Sequence, residues 1–167
     1  MKRRLFLALI PVALAAGCGF QLRRHEGLPF ASLYIDAPAG STVAQRLRSM
    51  LASDETTKLT ETAGEAEAVL RITEETHNRS ILTLTGGGRV SEYLLSLKIS
   101  YVVNAQDGRV LVAPEHFELN RSMTFDDSLL LAKSAEEQLL FRDMDSNAAL
   151  RIVRRMQTPQ PQIGGGS

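Results

Sequence analysis

The chain has 167 residues, 44% of them hydrophobic, with 19 Lys+Arg balanced by 19 Asp+Glu. Balanced charge argues against a general nucleic-acid binder, which shows a basic excess or stripe. Aromatics make up 5% of the chain and Trp is absent, so a carbohydrate-stacking cleft has little to be built from.

Three cations, Lys2, Arg3 and Arg4, precede an apolar run from Leu5 to Ala16. About a dozen apolar residues suit a signal-peptide core and fall short of the ~20 needed to span a bilayer. The run ends in Leu14-Ala15-Ala16-Gly17-Cys18, which contains the sole cysteine and reads as a bacterial lipobox. Ala15 stands where that motif usually has Leu. Residues 1–17 are therefore expected to be a lipoprotein signal peptide, with Cys18 the lipidated first residue of the mature chain. The expected modification is a diacylglycerol and an N-acyl chain on Cys18. One acyl chain binds a bilayer only marginally, whereas several anchor almost permanently. Gly19 rather than Asp follows the cysteine, which favours the outer membrane over inner-membrane retention. Without the leader about 150 residues remain, enough for one domain with its own core. The leader holds three of the cations, so the mature chain is mildly acidic. With Cys18 acylated, no thiol is left for a disulfide, a metal or nucleophilic chemistry.

Residues 18–30 read as a tether and 31–156 as a single domain. Leu33 to Asp36 is a brief strand candidate. Thr42 with Gln45 three residues on suggests a capping box. Val43, Leu47, Met50 and Leu51 then follow at helical spacing to about Ala52. Asp54 to Glu67 is mostly polar loop with room for a short strand at Lys58 to Glu61. Val69 to Thr76 mixes apolar and β-branched residues as strands do. Gly86-Gly87-Gly88 breaks the chain before the clearest strand, in which Tyr93, Leu95, Leu97, Ile99, Tyr101 and Val103 alternate with a more polar set. Asp107-Gly108 marks a hairpin. Val110 to Val112 and Phe117 to Phe125 form the return strand, with Pro114 pointing to a bulge or an edge position. Asp126 or Asp127 can cap a long helix. Its apolar stripe runs through Ala132, Leu140, Met144, Ala148, Ile152 and Met156, broadened by Ala135, Leu139, Ala149 and Val153. Arg151, Arg154 and Arg155 suit its negative C-terminal end. Residues 157–167 are rich in Pro, Gln and Gly and read as a disordered tail. The fold class is α+β, with two helices on one face of a mostly antiparallel sheet.

Catalytic patterns are missing. His25, His77 and His116 look isolated, and there is neither H-E-x-x-H nor G-x-S-x-G. The glycine triplet lacks the Lys-Ser/Thr ending of a phosphate loop and precedes a strand. Glu136 and Glu137 sit one helical turn from Lys133, the usual spacing of a solvated ion pair. The chain is expected not to be an enzyme. Arg79, Arg89, Arg121 and Lys133 bracket the strand ends and the start of the long helix. They read either as ordinary surface charge or as a cationic site for a phosphate-bearing lipid.

Several short motifs combine at this point. Cys18-Gly19-Phe20-Gln21-Leu22-Arg23 resembles the opening of the LptE family, lipopolysaccharide-assembly lipoproteins also called rare lipoprotein B. Ser91-Glu92-Tyr93 is similar to that family's A-E-Y segment. Leu131-Ala132-Lys133, with Glu136, Glu137 and Met144 downstream, resembles its A-L-A-K helix pattern, and Arg151 to Met156 its closing basic stretch. The resemblance implies a two-helix, four-stranded sandwich that plugs the large β-barrel LptD, helps it assemble and binds lipopolysaccharide for insertion into the outer leaflet. The family's basic binding residues fall at Lys133 and near Gly86, where Arg89 is the nearest cation. Arg89 and Lys133 are thus the expected lipopolysaccharide contacts. The competing expectation is a periplasm-facing outer-membrane lipoprotein serving as carrier or adaptor for another complex.

Overall fold

The structure, a computed structural model, describes residues 27–53 and 56–158. The expected signal peptide, Cys18 and the tail beyond residue 158 lie outside the described residues. The elements in order are β1 (Ser32–Asp36), α1 (Thr42–Leu51), β2 (Lys58–Leu59), β3 (Ala68–Leu84), β4 (Val90–Ala105), β5 (Val110–Thr124) and α2 (Leu130–Gln157). Single 3-10 turns precede β3 (Ala63–Glu65) and α2 (Asp127–Leu129).

One sheet runs in the order β2-β1-β3-β4-β5. It has five strands, one more than the family resemblance implied, because Lys58–Leu59 pairs in parallel with the start of β1. β1 is also parallel to β3, while β3, β4 and β5 form an antiparallel meander. The class is α+β, as expected. β3 is far longer than its apolar stretch suggested. It continues from Thr76 to Leu84 through mostly polar residues because β4 supplies a paired backbone along that length. At about 3.3 Å per residue its 17 residues span roughly 55 Å.

β4 follows the alternation closely. Leu95, Leu97, Ile99, Tyr101 and Val103 are buried on one face, joined there by Leu33 and Ile35 of β1 and by Leu70 and Ile72 of β3. Both helices pack on this face. Val43, Ala44, Leu47 and Leu51 of α1 meet Met144, Ala148, Ala149, Ile152 and Met156 of α2 in the same core. Leu28 and Phe30, from the stretch expected to be tether, also belong to it. β5 is a sheet edge, and its two expected pieces are one strand. Tyr101 pairs with Glu115 and Val103 with Val112, so Ala113 and Pro114 bulge between them. A proline without an N–H is tolerated in such a place.

The cap of α1 is not the expected Thr42–Gln45 box. Ser41 is the N-cap, its Oγ accepting from Ala44 N–H at 2.9 Å. Glu75 reaches across from β3 and accepts from Thr42 N–H, the Thr42 hydroxyl and Val43 N–H. A carboxylate at a helix N-terminus satisfies orphan donors and meets the positive end of the macrodipole. Asp126 does the expected work before α2, but on the preceding 3-10 turn, where it accepts from both N–H and Oγ of Ser128. Those bonds, the hydroxyl's first, hold its carboxyl below the usual range.

Candidate functional site

The end of β3, the start of β4, the end of β5 and the start of α2 converge at one end of the domain. There the β3–β4 turn closes through Gly88 N–H to Thr85 O at 2.9 Å and Thr85 N–H to Arg89 O at 2.7 Å. Gly88 adopts φ +77, a left-handed conformation that costs glycine nothing. The glycine triplet is thus a hairpin turn, and it presents Arg89 exposed at its exit.

Lys133 lies on the first turn of α2. Its Nζ donates to Thr124 Oγ1 at 3.0 Å and to Glu136 Oε2 at 2.8 Å, and its side chain is 15% exposed. Thr124 pairs with Glu92, three residues from Arg89. The two expected lipid contacts therefore share one end of the molecule. They differ in state: Arg89 is open to solvent, whereas Lys133 is engaged.

Arg79 of β3 is the better-built cation. Its Nη1 donates to Glu137 Oε2 at 2.7 Å, and its guanidinium lies 4.8 Å from the centroid of the Tyr93 ring. Tyr93 meets Phe125 edge-on at 5.0 Å. Arg121 donates to the carbonyl of its neighbour Asn120. Around these groups the surface is apolar: Ile81, Leu82, Leu84, Leu129, Leu130 and Leu131 are all exposed, Leu131 by 87%. Cations beside exposed leucines can hold an anionic headgroup while covering part of an acyl chain.

A second cluster escaped the reading of His77 as isolated. Glu75 and His77, two apart on β3, share a strand face, and Asp145 of α2 meets them. His77 Nε2 lies 2.7 Å from Asp145 Oδ1, and the Asp145 side chain is only 6% exposed. Phe141 packs edge-on against the imidazole at 5.1 Å. The hydrogen bond to Asp145 raises the His77 pKa above its ordinary 6.5; burial opposes that, and the Asp145 and Glu75 charges add to it. One donor atom from each of the three residues lies within 4.8 Å of the others, the compactness of a metal site. Glu75, however, is consumed by the α1 cap, including the Ser41 hydroxyl, so the trio acts as a clamp between β3, α1 and α2. The Glu75–His77 spacing was visible in the sequence. Asp145, 68 residues from His77, was not.

At the other end of α2, Arg155 and Tyr101 both donate to Glu115. Burial pushes that carboxyl up, but the two donors with the Arg151 charge outweigh it and hold it low. Burial and the Glu115 acceptor raise the Tyr101 phenol, which stays protonated. Among the described residues no buried side-chain N or O lacks a partner, and no helix is long and apolar enough to cross a membrane.

This two-layer fold, with both helices on one face of a mixed sheet, is shared with solved bacterial lipoproteins. The solution structure of an uncharacterized lipoprotein B from Nitrosomonas europaea superposes with TM-score 0.71 at 32% identity, covering 83% of this chain and 90% of that one. The crystal structure of rare lipoprotein B from Shewanella oneidensis gives 0.64 at 28%, covering 75% and 92%. In sequence, the LPS-assembly lipoprotein LptE of Photorhabdus laumondii is 30% identical over 165 residues, 95% of this chain and 88% of its own length. The family model described as LptE, lipopolysaccharide-assembly, matches residues 30–156. The chain belongs to the LptE family.

Proposed function

We propose that this chain is the non-enzymatic lipoprotein subunit of a lipopolysaccharide translocon, plugging and helping to assemble the LptD β-barrel and binding lipopolysaccharide for insertion into the outer leaflet. The observation that carries the reading is the family match over residues 30–156, which takes in every strand and almost all of α2. Three features of the domain support it.

Gly27 sits against Thr56, beside the starts of β1 and β2, whereas Arg89 lies at the far end of β3. A lipidated Cys18, nine residues earlier, would therefore hold the domain by the end opposite the Arg89–Lys133 surface. Nine residues reach at most about 30 Å, so the domain would stay close to an outer-membrane anchor. The sheet face away from the helices is polar, with rows such as Asn78–Ser96–Asn120 and Thr76–Lys98–Glu118, and such a surface suits the polar interior of a membrane barrel. The end bearing Arg89 and Lys133 combines cations with exposed leucines, as an acylated, phosphorylated lipid requires. No cofactor beyond the covalent lipid on Cys18 enters this reading.

Affinity purification of the lipidated protein from membranes tests it. A stoichiometric complex with one large β-barrel, and loss of assembled barrel and surface lipopolysaccharide on depletion, are expected. Recovery without a barrel, with both levels unchanged on depletion, would leave the carrier or adaptor role.

A further inference from the structure

Helix α2 is attached to the sheet in two different ways along its length. From Met144 onward it is held by burial: Met144, Ala148, Ala149 and Ile152 are wholly inaccessible and Met156 nearly so. Before Met144 it is not. Leu130, Leu131 and Leu139 are exposed, and Leu140 and Phe141 are only partly covered. The reason lies in β3, whose helix-facing residues change from Leu70 and Ile72 to Glu75, His77 and Arg79. Leu140 and Phe141 still pack against the core, which on this sheet face includes Leu95, Leu97 and Met123; the earlier turns of α2 are joined to the strands by polar links, Lys133 to Thr124 and Glu137 to Arg79. Such partly exposed links are weak and yield to competing ions. The His77–Asp145 pair, with Phe141 against the ring, stands at the boundary between the two regimes.

Both cations are paired with carboxylates of α2. Arg79 is neutralised by Glu137, and Lys133 by Glu136. We propose that residues Leu130–Phe141 form a latch that closes the anion site in the ligand-free protein, with Glu137 as the gate residue. In this inference, which rests on lipopolysaccharide as the ligand, a lipid phosphate replaces Glu137 on Arg79. The helix half then swings out about the Met144–Asp145 boundary. Arg79 is released from Glu137 and Lys133 from Thr124, and the exposed leucines on either side cover acyl chain.

Hydrogen exchange on the full-length protein, with and without purified lipopolysaccharide, tests the latch and its gating separately. In the ligand-free protein residues 130–141 should exchange at least about tenfold faster than 144–156, since none of them is itself buried, whereas six residues from Met144 to Met156 are. E137Q should speed exchange in 130–141 alone and tighten lipopolysaccharide binding by about 3–10-fold, the scale of one partly exposed ion pair. R79Q should speed the same exchange but weaken binding. Uniform protection along α2 would overturn the latch whatever the ligand. E137Q binding no tighter than wild type would overturn the gating. Failure of the wild type to bind lipopolysaccharide at all would overturn the choice of ligand, while the ligand-free exchange still judges the latch.

Discussion

Removing either partner of the His77–Asp145 pair should have unequal consequences. Asp145 is almost fully buried, and its Oδ1 meets His77 Nε2. The imidazole keeps 30% of its side-chain surface in water. His77→Ala therefore strands a buried carboxylate, while Asp145→Ala leaves a histidine that water can still reach. Breaking a fully buried pair costs about 3–5 kcal/mol, and the partial exposure of His77 lowers this to about 2–3 kcal/mol for His77→Ala. Asp145→Ala should cost about 1–2 kcal/mol, chiefly one charge-assisted hydrogen bond. The difference should appear as a gap of roughly 3–6 °C in thermal midpoint for a domain of this size. The pH dependence has a definite sign. The folded pKa of His77 is raised, so the pair's contribution is fully present below about 6.5 and is lost as pH rises through the higher folded value. Glu75 adds to this shift from the same strand, and the β4 residue opposite His77, Leu97, carries no charge. Urea denaturation between pH 5 and 8.5 should show wild-type stability declining across that window and Asp145→Asn without that decline. Equal costs for the two alanine variants, or the same slope in Asp145→Asn, would refute the reasoning.

Glu75→Ala should cost about 1–3 kcal/mol, because it strips the N-terminus of α1 of its external acceptor, and Glu75→Gln should recover part of it; chemical denaturation measures both. Ile152→Ala should cost about 3–4 kcal/mol from a fully buried site, whereas Leu131→Ala, with its side chain in water, should fall within about 0.5 kcal/mol of wild type. Charge reversal of both Arg89 and Lys133 should weaken lipopolysaccharide binding in vitro while leaving the near-ultraviolet circular dichroism unchanged; unaltered binding would remove these two residues from the site. Tyr101→Phe should cost about 1 kcal/mol by removing one donor to Glu115, and a cost above 3 kcal/mol would mean that the ring packing had been disturbed as well.

The elements that proved legible in the sequence were those whose own residues carry their burial. β4 announced itself because every second side chain from Leu95 to Val103 is buried in the core, and α1 because its short apolar stripe enters the same core against α2. The hairpin at Asp107-Gly108 was legible, and the glycine triplet was legible as a turn though not as a hairpin; each uses a left-handed glycine, at Gly108 and Gly88. The distal half of β3 was not, since Thr76 to Ser80 has no apolar period and is a strand only because β4 pairs with it. Glu75 as a cap and Asp145 as a partner for His77 were hidden for the same reason: each acts on an element at least 30 residues away in the chain. Arg89 and Lys133 lie at one end of the molecule, but sequence spacing held no sign that Arg79 would stack on Tyr93 and pair with Glu137.

The apolar stripe of α2 is where sequence and structure part most instructively. Its stripe runs from Ala132 to Met156, with Glu136 standing in the row between Ala132 and Leu140, and a helix judged alone should bury its apolar members. Under its first half, however, β3 offers Glu75, His77 and Arg79 rather than leucine and isoleucine, which leaves only Leu95, Leu97 and Met123 of β4 and β5 as buried apolar surface there, and Ala132 and Leu139 of that stripe remain exposed. Amphipathic period records a surface that a helix can bury, not one that its own domain does bury. Leu130, Leu131 and Leu139 of α2, like Ile81, Leu82 and Leu84 near the β3–β4 turn, cost solubility and contribute nothing to this core. A monomer stabilised by its own packing would do better with polar residues there. Their presence on the end where Glu136 and Glu137 occupy the cations is more consistent with a surface completed by a lipid or by a barrel wall than with a finished, free-standing face.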